Sequence, residues 1–205
     1  MLNIIESWIF ESIIAGLSIV ILKVYFDIFF VKNNYKIKTV IIYGIYFIWQ
    51  LLSLEHTLKP VSLNIIANMF VVSLICIYLY NGKWLQQVFF SVLIVSIWSL
   101  MEFIVGYLFM LCDVDYKIPV LLGAFLSKLL VVLFLNALRI FFHNESIKYL
   151  AVGNNLILLL ISLGSMYVIY NIFTLGIEQD EKAYIMKSLI SLLIMFIINV
   201  MAYKL

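Results

Sequence analysis

Two apolar runs, Val88 to Leu111 and Val120 to Phe142, constrain this chain more than any other feature, because each carries one ionisable residue far from its ends. The first holds Glu102 and the second Lys128. Each run is close to the ~20 residues that a helix needs to cross a bilayer core. In lipid a backbone amide has no partner outside its own segment, so both runs are predicted to be helices. A short polar link joins them, which makes the pair an antiparallel hairpin. Glu102 then lies nine residues before the end of one helix and Lys128 eight after the start of the next. At about 1.5 Å rise per residue the two charges fall at nearly the same depth, roughly 12 to 14 Å from the shared link.

An ionisable group at that depth costs ~3 kcal/mol on insertion scales and normally points into the bundle towards a partner. Matched depth makes Glu102 and Lys128 partners for one another, an intramembrane ion pair. Two roles stay open for it: a ligand, substrate or switch site, or a contact that only fixes how two helices dock.

The rest of the chain has the same character. Of its 205 residues 66% are hydrophobic and 12% charged, against about 25% charged in a soluble domain. No hydrophilic block is long enough to hold an aqueous catalytic domain. The net charge of +2 and the lack of a basic cluster interleaved with aromatics argue against nucleic acid as a partner. The start of the chain carries Glu6 and lacks the basic region and small-residue cleavage site of a signal peptide, so it is expected to be retained.

Run length and flanking charge divide residues 1–205 into seven apolar segments of a single domain: about 4–31, 37–54, 61–80, 88–111, 120–142, 150–173 and 183–203. The expected fold is all-α, a polytopic transmembrane bundle of seven helices, or six if one run fails to cross. In the first segment the part up to Glu11 reads as interfacial. One set of links holds Lys32, Lys36, Lys38, Lys83, Arg139, Lys148 and Lys204, while the other holds Lys59, Lys117 and Lys182 together with most of the acids. Seven basic residues against three place the first set in the cytoplasm, with the amino terminus outside and the carboxyl terminus inside. Trp49, Trp84 and Tyr80 fall near predicted interfaces, as an aromatic belt would place them.

Other polar residues are weighed against packing. Lys23 and Asp27 are four apart and can pair on one helix face. Asn64 and Asn68 also share a face, in the outer half of the third segment, where they face either a ligand or neighbouring helices. Cys76 and Cys112 fall at opposite ends of their segments, too far apart for a disulfide, and neither forms a metal site. His56 and His143 lie on opposite sides of the membrane, which makes a Cys/His nucleophile hard to assemble. No phosphate loop, dinucleotide fingerprint or hydrolase motif is present. The expectation is therefore no enzyme, no metal and no cofactor.

The stretch Trp98-Ser99-Leu100-Met101-Glu102-Phe103-Ile104-Val105-Gly106-Tyr107, followed after a short outer link by Ser127-Lys128, resembles the membrane sensor region of Agr-type receptor histidine kinases. The likeness extends loosely over the whole chain, including the Lys-rich first inner link. It implies an integral-membrane sensor of an extracellular peptide in a two-component system, at the cell membrane, acting through a cytoplasmic GHKL histidine kinase domain. That kinase part, and the homodimer contact it brings, would begin after Leu205. An alternative from a different class is a small membrane transporter or substrate-binding membrane subunit, with Glu102 and Lys128 lining a polar midplane cavity.

Overall fold

A computed structural model describes residues 4–33, 35–55, 61–112, 119–141, 162–172 and 182–201. Seven helices run through them: α1 (Ile4–Phe29), α2 (Lys36–Glu55), α3 (Val61–Leu79), α4 (Trp84–Leu111), α5 (Pro119–Phe141), α6 (residues 162–172) and α7 (Lys182–Met201). A two-stranded clip is the other regular element, β1 (Val31–Lys32) against β2 (Tyr80–Asn81). The histidines, the links around Lys59, Asp113 and Glu178, residues 150–161 and 173 of the sixth apolar run, and residues 202–203 of the seventh lie outside the described residues.

The fold is all-α. Among the described residues four helices are long and apolar enough to cross a membrane: Trp8–Phe29, Trp84–Leu111, Leu121–Ile140 and Ala183–Val200. The exposed helix faces fit a lipid solvent. On α2 the residues Ile41, Ile45, Ile48 and Leu52 are exposed along one face, as are Leu133 and Ile140 on α5 and Ile190, Ile194 and Ile197 on α7. Stripes of this size on an aqueous surface mark interaction sites or aggregation, whereas a bilayer covers them. The hydroxyls of Ser18, Ser73, Ser91 and Ser96 each donate to the carbonyl four residues earlier, so they are satisfied within their own helices. These features suggest a membrane protein.

Helix α4 is the axis of the bundle. Its 28 residues amount to about 42 Å at 1.5 Å each, and it packs against α3, α5 and α7, with α1 lying between α2 and α5. Tyr25 of α1 reaches it too, donating its hydroxyl to the Phe90 carbonyl at 2.9 Å. Phe29 stacks on Phe90 with centroids 4.3 Å apart. Two apolar clusters share the helix. The larger runs from Phe89 to Met101 and draws on α1, α2, α3 and α5; the smaller joins Leu100, Phe103, Ile104 and Tyr107 to Ile169 of α6 and to Ile185 and Leu192 of α7.

Three sequence expectations need correcting at the end of the bundle where the clip lies. Val31 pairs with Asn81 and Lys32 with Tyr80, so the α1–α2 and α3–α4 turns are sewn together. Helix α4 begins at Trp84 rather than at Val88, because the buried Gln87 is part of its first turns. The Gln87 amide donates to the Tyr80 carbonyl at 2.7 Å, which gives the end of α3 the partner it lacks within its own helix. Asp27 accepts a hydrogen bond from Tyr80 at 3.0 Å, and Tyr80 in turn lies 3.2 Å from the Tyr43 hydroxyl, in place of a Lys23–Asp27 pair. Tyr80 is therefore a buried link among three elements rather than an interfacial anchor. Away from the clip, α1 runs as one continuous helix through Glu11.

Candidate functional site

The α5 stripe that faces the interior contains Ser127, Lys128, Val131, Leu135 and Leu138, all buried. Helical spacing puts Lys128 in line with these apolar residues, so its stem packs like theirs and its ammonium arrives against α4. There it meets two groups one turn apart. Its Nζ lies 3.8 Å from Glu102 Oε1 and 4.4 Å from the centre of the Trp98 ring. The Trp98 indole N–H donates to the same Glu102 Oε1 at 2.8 Å. Trp98 thus orients the carboxylate with its edge and receives the cation on its face, which is the attractive geometry for both.

The pair is asymmetric. The Lys128 side chain is 3% exposed, whereas that of Glu102 is 44% exposed. At 3.8 Å the ion pair is longer than a hydrogen bond. Lys128 therefore holds its charge by proximity and by the indole face, not by a bonded fork. Glu102 is the open member of the pair.

The asparagines predicted to be polar contacts lie across from this pair, on α3. Asn68 accepts a hydrogen bond from the Gln50 amide of α2 at 3.2 Å. Asn64 has its amide oxygen sheltered and without a partner among the described residues, as do the Tyr46 hydroxyl and the Trp49 indole N–H of α2. Tyr46 lies within electrostatic reach of Glu102. Counted from the clip end at about 1.5 Å per residue, Gln50, Asn64 and Trp98 all fall roughly 21 to 23 Å along their helices. Polar side chains of α2, α3 and α4 thus share one level, close to that of Lys128 on α5.

The sequence pointed to Glu102, Lys128, Asn64 and Asn68. It passed over Tyr46, Gln50 and the double role of Trp98. The signal for Trp98 was its position four residues before Glu102, one turn away on the same face. Cys76 is buried and Cys112 exposed just beyond α4, and both are free thiols. No group of three or more metal-ligating side chains occurs among the described residues. No known protein family, curated protein or solved structure matches this chain.

Proposed function

We propose that this chain is the membrane-embedded sensor module of a two-component receptor. It crosses the bilayer seven times, with its amino terminus outside and its carboxyl terminus in the cytoplasm. An extracellular peptide is its ligand, and a cytoplasmic histidine kinase domain, paired as a homodimer, receives its state.

The observation that carries this reading is the position of Glu102 on a helix with two different sides. One side of α4 meets Lys128 of α5. The other packs through Leu100, Phe103, Ile104 and Tyr107 against α6 and α7, and the Tyr107 hydroxyl donates to the Ile172 carbonyl at 2.9 Å. A ligand shifts an equilibrium only if it binds two arrangements with different strength. A contact that engages the half-exposed Glu102 weakens its hold on Lys128, and α4 then re-seats against α7, the last helix before the cytoplasm. The clip supports the topology, since it joins the two Lys-bearing turns that the charge count assigns to the inner face.

The test is basal autophosphorylation of the associated kinase in membranes. Glu102→Leu and Lys128→Leu should each change it several-fold in a receptor that still reaches the membrane. Unchanged basal activity in both variants contradicts the reading. The transporter alternative draws on the half-exposed Glu102 beside the unpartnered polar atoms of α2 and α3. It predicts solute uptake by vesicles containing the 205-residue chain alone.

A further inference from the structure

The clip does something that the turns on their own would oppose. Pairing Val31–Lys32 with Tyr80–Asn81 draws Lys32, Lys36 and Lys38 of one turn towards Lys83 of the other. Lys36, Lys38 and Lys83 are exposed, Lys32 is half-buried, and none has a carboxylate partner among the described residues. Asp27, an exposed acid near the end of α1, accepts the Tyr80 hydroxyl on one oxygen and forms no ion pair with these lysines among the described residues. Lys38 rests over the Tyr35 ring at 4.3 Å, which shields the ammonium without neutralising it.

These lysines do not serve the helices that carry them. Lys36 and Lys38 sit in the first turn of α2, and Lys83 is the residue that caps α4 with no side-chain hydrogen bond. A cation at a helix start opposes the helix dipole, and neither first turn holds an acid to offset it. Four like charges held together at two such positions, with no carboxylate partner among the described residues, favour an anion beside them. Its level in the membrane is set by the aromatics beside it. Trp84 is 68% exposed and Tyr35 59% exposed, flanked by exposed Val31 and Ile37. Large amphipathic rings at the end of apolar helices sit at the headgroup layer.

We infer that the clip end of the bundle, formed by Lys32, Lys36, Lys38 and Lys83 with Tyr35 and Trp84, is a binding surface for the phosphate headgroups of anionic phospholipids. The lipid phosphates compensate the four cations, and the acyl chains lie along the exposed apolar faces of α1 and α2. By drawing both turns to one headgroup region, the lipid holds the α1–α2 and α3–α4 hairpins in register. The surface works in either orientation of the chain, so it is independent of the signalling reading.

The experiment places the purified chain in nanodiscs of phosphatidylcholine alone or mixed with phosphatidylglycerol, and follows thermal unfolding together with lipid retained in native mass spectrometry. Phosphatidylglycerol should raise the unfolding midpoint at low salt, and the gain should fade as salt screens it. Retained lipid should be enriched in phosphatidylglycerol, and the enrichment should fall about fivefold for each lysine neutralised. The variant Lys32→Gln/Lys36→Gln/Lys38→Gln/Lys83→Gln should unfold as the parent does in phosphatidylcholine and gain nothing from phosphatidylglycerol. Lys187→Gln on α7 should keep the whole gain. If the fourfold variant does not fold, Lys36→Gln/Lys38→Gln and Lys83→Gln read the same effect in parts. Equal midpoints for the parent in both lipids, an undiminished gain in the lysine variants, or the same gain from inorganic phosphate in phosphatidylcholine discs would overturn the proposal.

Discussion

The Lys128 ammonium rests 4.4 Å above the Trp98 ring, and the edge of that same indole donates a hydrogen bond to Glu102, the residue that balances the lysine charge. One aromatic side chain therefore ties the cation and the anion to the same turn of α4. The arrangement makes the site a three-residue unit in which the two charges are not equivalent.

The first prediction concerns Trp98. Trp98→Phe keeps a ring under Lys128 but removes the N–H that orients Glu102, and it weakens the cation–π attraction, since indole is the best of the aromatic faces. A loss of about 1 to 2 kcal/mol is expected, near the sum of one charge-assisted hydrogen bond and part of the aromatic contact. Trp98→Leu removes both and should lose more. Denaturant or thermal unfolding in one detergent orders the three proteins.

A second prediction lies at the clip. A Cβ added at Gly82 would sit 3.0 Å from the Phe30 ring, closer than neighbouring atoms normally tolerate. Gly82→Ala should destabilise the chain by about 1 kcal/mol, the lower end of overpacking costs, because the ring has to swing aside. Phe30→Leu in the same chain frees that space. The double variant should recover stability relative to Gly82→Ala in a melting experiment.

Tyr80 gives a third. Its hydroxyl is shared between Asp27 of α1 and Tyr43 of α2. Tyr80→Phe leaves both without that partner and should cost about 1 to 3 kcal/mol, the usual range when hydrogen bonds to a charged acceptor are broken. Tyr43→Phe breaks only the weaker contact and should cost less. Amide exchange in the clip should accelerate in Tyr80→Phe before it does in α4.

The fourth uses a native thiol. Cys112 is exposed just past the end of α4, and Cys76 is buried. With the topology proposed here Cys112 faces the outside, so a membrane-impermeant maleimide added to intact cells should label the chain once. Labelling only after the membrane is opened would invert the orientation.

Some of this was written plainly in the sequence. Run length and apolar character foretold α4 and α5, and counting rise per residue placed Glu102 opposite Lys128. The missing parts share one cause: they depend on which elements become neighbours. Gln86 and Gln87 look like the end of a polar turn, yet Gln87 is buried because α3 ends against it and offers free carbonyls. Tyr80 and Trp49 look like interfacial anchors because of their place in the chain. Tyr80 is buried where it bonds to Asp27 of α1 and meets Tyr43 of α2, and Trp49 is partly buried against the main apolar cluster. Lys23 and Asp27 have the spacing of a local pair, but a tyrosine hydroxyl from another element competes for the carboxylate. Nothing local to Val31 or Tyr80 announces a strand two residues long.

The central claim is that a buried lysine is held in the membrane by a half-exposed glutamate on the axial helix. A double-mutant cycle in the same detergent tests it most directly, using Glu102→Leu, Lys128→Met and the pair together. Glu102→Leu strands a charge that is 3% exposed, and is expected to cost about 2 to 3 kcal/mol, below the ~3–5 of a fully buried pair because Glu102 itself is partly open. Lys128→Met leaves a carboxylate that still has Trp98 and an open side, and should cost no more than about 1 kcal/mol. The double variant should then be more stable than Glu102→Leu alone, with a coupling of at least about 1 kcal/mol. Costs that simply add, or a lysine variant more damaging than the glutamate one, would contradict the account.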